Sequence, residues 1–158
     1  MGAIWVTIHS PLCCRILPQA FSDSQCAVVA IDAERTFWEK ATILHQEAHR
    51  TGTIPARYSR HYYDLYKLAG SAIKESSLAR LGLLKDVVAF KERFYYTSWA
   101  HYDLARPGSF RLAPSRAQIL PLTQDYKAMR QMLFHEPPDF AVIQEVLLAL
   151  EEEINRLG

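Results

Sequence analysis

Phe37, Ala41, Leu44 and Ala48 recur at i, i+4, i+7 and i+11, and this stripe predicts a helix from about Glu34 to Arg50, ended by Thr51-Gly52. Tyr62, Leu65, Tyr66 and Ala69 form a second stripe, with Ser59 as its expected N-cap and Gly70 at its close. These two helices make a short hairpin. A third helix is expected from about Ser77 to Tyr95, with Leu81, Leu84, Val88 and Lys91 along one side. Arg106-Pro-Gly108 signals a turn, and Ser109-Phe-Arg-Leu112 reads as a short extended piece. Thr123 is the expected cap of a fourth helix through Phe134. Pro137-Pro138 stops it, and a fifth runs from about Asp139 to Leu157 on Phe140, Ile143, Val146, Leu147, Leu150 and Ile154.

Before the first helix the period changes. Residues 3–9 and 26–31 are rich in β-branched and apolar residues and are separated by Pro11 and Pro18, so both read as strands. The expected fold is α+β and predominantly α, a bundle of about five helices with a small N-terminal β element. Two strands alone are marginal in water, so this element must lean on other structure or pair with further strands. Its unpaired edges leave room for a homodimer.

At 158 residues the chain suits a single domain spanning 1–158, with the β element in 1–32 and the helical part in 33–158. Eighteen Lys plus Arg against seventeen Asp plus Glu leave a net charge of +1, so no global basic field advertises nucleic acid or an anionic membrane. Cys13, Cys14 and Cys26 are too few for a four-cysteine zinc ribbon and fit free thiols in a reducing compartment. The first residues lack the basic start and long apolar run of a leader or spanning helix, and Val6 breaks the myristoylation pattern. The expected location is cytoplasmic.

Chemistry concentrates on the hairpin. Lys40 lies about 70° from the centre of its helix's apolar stripe, so its stem can follow apolar surface while the ammonium reaches a cleft. The alternative is an ordinary boundary lysine reaching water. Arg60, Tyr63, Asp64 and Lys67 share one side of the second helix. That spacing allows either an Arg60/Asp64 surface pair or an Asp64 that faces Lys40. His45 and His49 stand at i and i+4 as zinc ligands do, but Glu47 at i+2 points about 200° away, unlike the base of H-E-x-x-H. A metal site built from His45, His49 and Asp64 is therefore a minor alternative. Lys91, Arg93, Tyr95, Tyr96, Trp99, His101 and Tyr102 mix cations with aromatics, a composition that stacks on unpaired bases or, more commonly, fills a core.

Arg35-Thr-Phe-Trp-Glu-Lys-Ala-Thr-Ile-Leu-His45, Arg57-Tyr-Ser-Arg-His-Tyr-Tyr-Asp-Leu65, Asp125-Tyr-Lys-Ala-Met129 and Glu153-Ile-Asn155 occur in this order. Over roughly residues 28–157 the chain resembles the second half of the AbiEii/AbiGii-type abortive-infection nucleotidyltransferase toxins. In that family one motif supplies a lysine and the next follows an R-D-x-x-D-like pattern. Here these fall on Lys40 and on Arg60-His-Tyr-Tyr-Asp64, with His61 in place of the inner aspartate. The resemblance implies nucleotide transfer from a nucleoside triphosphate with Mg2+, a cognate antitoxin and a tRNA or other RNA acceptor. It makes Lys40 and Asp64 the candidate catalytic pair, Lys40, Arg60 and Arg57 the phosphate-binding groups, and Glu39 and His61 their supports.

The family's Gly-Gly-x-x-Leu loop and D-x-D carboxylate pair do not occur in these 158 residues; Asp23-Ser-Gln is no D-x-D. No metal ligand is therefore assigned, residues 1–32 read as a remnant of the nucleotidyltransferase core, and the chain is expected to be a truncated or split toxin, inactive alone. A partner chain carrying the missing motifs is one expectation. The alternative is a non-catalytic helical module that binds an antitoxin, a paralogue or RNA.

Overall fold

The computed structural model describes residues 3–9, 25–133 and 136–158. Pro11, Cys13, Cys14, Pro18, Asp23 and the predicted helix end at Phe134 lie outside them. The chain divides into two compact units, Met1–Ala33 and Glu34–Gly158.

In the first unit β1 (Ala3–His9) and β2 (Gln25–Ile31) pair antiparallel, from Ala3 opposite Ile31 to His9 opposite Gln25. The predicted spans hold to within a residue. Val29 and Ile31, two positions apart and so on one face of β2, are exposed.

The second unit is helical: α1 (Ala33–Ala48), α2 (Ser59–Ala69), α3 (Ile73–Leu78), α4 (Leu81–Phe94), α5 (Arg116–Met129) and α6 (Phe140–Asn155). The predominantly helical expectation stands, with six α-helices among the described residues where about five were expected. The extra one is α3, most of which precedes the predicted third helix; Arg80 leaves the helical conformation, so the helix expected from about Ser77 begins as α4 at Leu81.

The core is the meeting of the predicted stripes. Phe37, Ala41 and Leu44 of α1, Tyr62 and Leu65 of α2, and Ile143, Leu147 and Ile154 of α6 are essentially removed from water. Each of the Phe, Leu and Ile side chains among them contributes roughly 1.5–3 kcal/mol. Trp38, also fully buried, stacks edge-on against Phe37 and Phe110 and donates its indole N–H to the Ser77 carbonyl at 3.2 Å. That bond satisfies the one polar atom of the largest core side chain.

Three local expectations change. The fourth helix begins at Arg116, seven residues before Thr123, because Ser115 and Gln118 form a reciprocal capping box that starts it ahead of Pro121. Thr123 instead bonds back to the Ile119 carbonyl inside that helix. Ser59 does not cap α2; it is the first helical residue and its hydroxyl turns to Asp125. Residues 109–112 do not join a sheet. Backbone groups of this stretch bond to side chains of helices: the Asn155 amide of α6 pairs with both Phe110 backbone groups at 2.8 and 3.0 Å, the Glu151 carboxylate of α6 accepts from Leu112 and Ala113, and His45 of α1 accepts from Arg111. Polar main-chain groups away from water need such partners, and here side chains replace a ladder. Arg106-Pro-Gly108 is the expected turn: Ser109 N–H donates to the Arg106 carbonyl at 3.1 Å, with Gly108 at φ +90°.

Candidate functional site

Lys40 projects from the middle of α1, and Asp64 from the middle of α2. The Lys40 Nζ lies 2.7 Å from Asp64 Oδ2 and 3.3 Å from His61 Nδ1. Lys40 and Asp64 are 23% and 39% exposed as side chains, so the pair opens to solvent and is not sealed in the core. An exposed pair of this kind adds little to stability. The Arg60/Asp64 surface pair that the spacing also allowed does not form among the described residues. Asp64 takes Lys40 instead.

His61 is buried, and its charged form is disfavoured first by desolvation and then by the nearby Lys40 and Arg60, which bring its pKa down to about 4. It is a neutral imidazole at physiological pH, with Nδ1 accepting from the lysine. An ammonium has three donors. Two are held by Asp64 and His61, and the third has no acceptor among the described residues.

Around this cluster, Arg57 and Arg60 are exposed, and their guanidinium groups have no acidic partner among the described residues. Glu39 is tied to Arg35 at 3.0 Å. The Glu39 carbonyl accepts from the Lys91 ammonium at 3.3 Å. Burial pushes Lys91 down to about 8, with Glu39 opposing and Lys40 adding to the shift.

The start of α2 is fixed from α5. Asp125 accepts from the Arg57 N–H at 2.6 Å through one oxygen, and from the Ser59 N–H and hydroxyl through the other. Arg57 sits at φ +63°, a left-handed conformation costly for a residue with a Cβ. Burial alone would raise the Asp125 pKa, but the bonds from Ser59, Arg57 and Tyr58 outweigh it and hold the carboxyl below its usual range. Asp125 lies in the third turn of α5 and clamps another helix. The signal that pointed to it was the Asp125-Tyr126 resemblance. The burial of Lys91 had no signal beyond its place in an apolar stripe.

His45 is not free to join His49 at a metal. The buried His45 ring has Nε2 at 3.0 Å from the His101 carbonyl, and its Nδ1 accepts from the Arg111 N–H at 3.1 Å, so both nitrogens are committed to backbone. No group of three or more His, Cys, Asp or Glu arranged for a metal occurs among the described residues. Nor does the Lys40 cluster suit magnesium, which takes oxygen ligands around an octahedron. Asp64 is its one carboxylate, and an ammonium already holds it.

Fold and site together define a mostly helical protein with a small β-ribbon and a solvent-facing lysine gripped by a carboxylate and a neutral imidazole. The chain belongs to the AbiEii family, the nucleotidyl transferase toxins of Type IV toxin–antitoxin systems, whose model matches residues 6–151. The match takes in β1 as well as the helices, and so reaches further toward the N-terminus than the resemblance over roughly 28–157. Membership implies a nucleotidyltransferase toxin with a cognate antitoxin. No curated protein and no solved structure matches the chain. No helix among the described residues is long and apolar enough to cross a membrane.

Proposed function

We propose that this chain supplies the phosphate-holding wall of a nucleotidyl transfer site that uses a nucleoside triphosphate. The observation that carries the reading is the Lys40 ammonium, oriented by Asp64 and His61 with one N–H left over at the solvent face. In this role Lys40 donates that N–H to a phosphate oxygen and offsets charge that builds during transfer. Asp64 and His61 position the lysine. Arg60 and Arg57 add positive charge for the rest of the triphosphate, while Glu39 holds Arg35 and, through its carbonyl, Lys91. The acceptor is an RNA, with tRNA as the leading candidate.

Divalent metal enters such chemistry through paired carboxylates. These 158 residues contain no D-x-D. In this reading the metal-binding carboxylates come from residues outside them, and the chain alone transfers nothing measurable.

Titration of the purified chain with each of the four nucleoside triphosphates, read by calorimetry, tests the wall. Loss of one charge-assisted hydrogen bond costs about 1.5–3 kcal/mol, so Lys40→Ala should weaken binding roughly 10- to 150-fold. Binding that survives both Lys40→Ala and Asp64→Ala sinks the assignment. Incorporation of labelled nucleotide into RNA by the chain alone would overturn the second half of the proposal.

A further inference from the structure

A cleft of about 590 Å3 opens beside the lysine cluster, lined by residues of α1, the end of α4 and the turn that follows it. Its walls are aromatic: Tyr58, Phe90, Tyr95, Tyr96 and Tyr102. Tyr95 and Tyr96 are 64% and 72% exposed, unusual for two consecutive large rings. Phe90 packs against Phe94 and Tyr95 at centroid separations of 4.8 and 6.0 Å, so the exposed Tyr95 ring stands on a supported aromatic base. Contiguous exposed apolar surface of this kind marks an interaction site.

The charge at the cleft is cationic. Lys91 lines it, half-buried, and its one hydrogen-bond partner among the described residues is the Glu39 carbonyl. The carboxylate that also lines it, Glu39, is neutralised by Arg35. Arg35 also stands over the Phe90 ring of the cleft, its guanidinium 5.7 Å from the centroid. The Thr97 hydroxyl, buried with no hydrogen-bond partner among the described residues, lies in the same wall. A hydroxyl offers both a donor and an acceptor, which suits a ribose 2′-hydroxyl or a base edge.

We propose that this cleft docks single-stranded RNA, with bases stacked on Tyr95 and Tyr96 and a backbone phosphate held by Lys91. Sequence-tolerant stacking beside a cation is how proteins hold unpaired strands. Consecutive tyrosine faces serve successive bases, whereas a free nucleoside triphosphate has only one. Shape excludes a duplex, whose bases are already stacked on each other. The surface would bring an RNA strand alongside Lys40, but it stands on the chemistry of the cleft and not on the transfer reading.

The test is fluorescence anisotropy of a fluorescein-labelled oligoribonucleotide of mixed pyrimidines with the full chain. No transfer step is involved, so failure of the transfer reading leaves the measurement intact. Tyr95→Ala and Tyr96→Ala should each weaken binding about tenfold, with Tyr95→Phe and Tyr96→Phe close to the parent. Both rings are exposed, so circular dichroism melts should be unchanged. Lys91→Gln should reduce the slope of log K against log salt by about 0.7, the contribution of one single-strand phosphate. A blunt duplex and the deoxy strand of the same sequence should bind more weakly. The proposal is overturned by absence of binding, by full affinity in the double alanine variant, or by duplex, deoxy strand or free triphosphate competing as well as the RNA.

Discussion

Replacing Asp125 by asparagine tests whether the α5 clamp sets the start of α2. The substitution keeps shape but removes the charge and puts an N–H2 group where one oxygen accepted. In the parent three donors converge on the carboxylate, the N–H groups of Arg57 and Ser59 and the Ser59 hydroxyl. Hydrogen bonds to a charged acceptor contribute about 1.5–3 kcal/mol each. Asparagine retains one acceptor and water reaches this half-exposed site, so the net loss is about 2–3 kcal/mol. For a chain of this size each kcal/mol moves Tm by about 2–4 °C, giving an expected fall of roughly 5–10 °C at pH 7. The difference must also depend on pH. The folded Asp125 carboxyl titrates below its ordinary value, so the unfolded chain binds its proton first as pH falls. Its contribution is therefore present above about pH 4 and is lost as pH drops through the folded value. The gap between parent and variant melts should narrow as pH falls below about 4, where the protonated acid comes to resemble the amide. An unchanged Tm at pH 7, or a gap of equal size at pH 7 and pH 3, refutes the clamp.

Two further outcomes follow from buried charge. Desolvation, only partly offset by the bond to His101, brings His45 down to about 4, so the folded protein keeps it neutral while the unfolded chain takes up a proton near pH 6.5. Stability from this ring, roughly 3 kcal/mol, is full above pH 6.5 and falls away between there and pH 4; an NMR titration in which the His45 ring protonates near 6.5 would contradict this. Arg50 holds the 2%-exposed Glu47 carboxylate through two bonds of 2.6 and 3.0 Å. Arg50→Ala should cost about 3–5 kcal/mol in chemical denaturation, with Glu47→Gln added to it restoring much of the loss; a neutral single variant rules out a buried unpaired charge.

The elements most legible in the sequence are those whose period was long and uninterrupted. The α1 and α6 stripes supplied Phe37, Ala41, Leu44, Ile143, Leu147 and Ile154 to the core as read, and both strands were placed within a residue. The start of α5 was missed because Thr123 was read as its cap, whereas the Ser115–Gln118 box starts the helix ahead of Pro121. At the site, helical spacing placed Lys40 and Asp64 on accessible flanks. Three facts were beyond reach: that Asp64 prefers Lys40 to Arg60, that His61 turns inward, and that Asp125 reaches Arg57 and Ser59. Each depends on how helices pack across 21 to 68 residues of chain, which no local period encodes.

Asn155 and Glu151 hold the main chain of residues 110–113 from the far end of the helical unit. A polypeptide leaves the ribosome N-terminus first, so this loop emerges some 40 residues before the side chains that complete its hydrogen bonding. During that interval the amides of Phe110, Leu112 and Ala113 have only water, and the buried places of Phe110 and Leu112 lack the helix that covers them. Closure of the unit is thus tied to delivery of α6, which acts as a timing element: the lysine–aspartate hairpin can be made early, but the body that supports it is complete only when translation has passed Asn155.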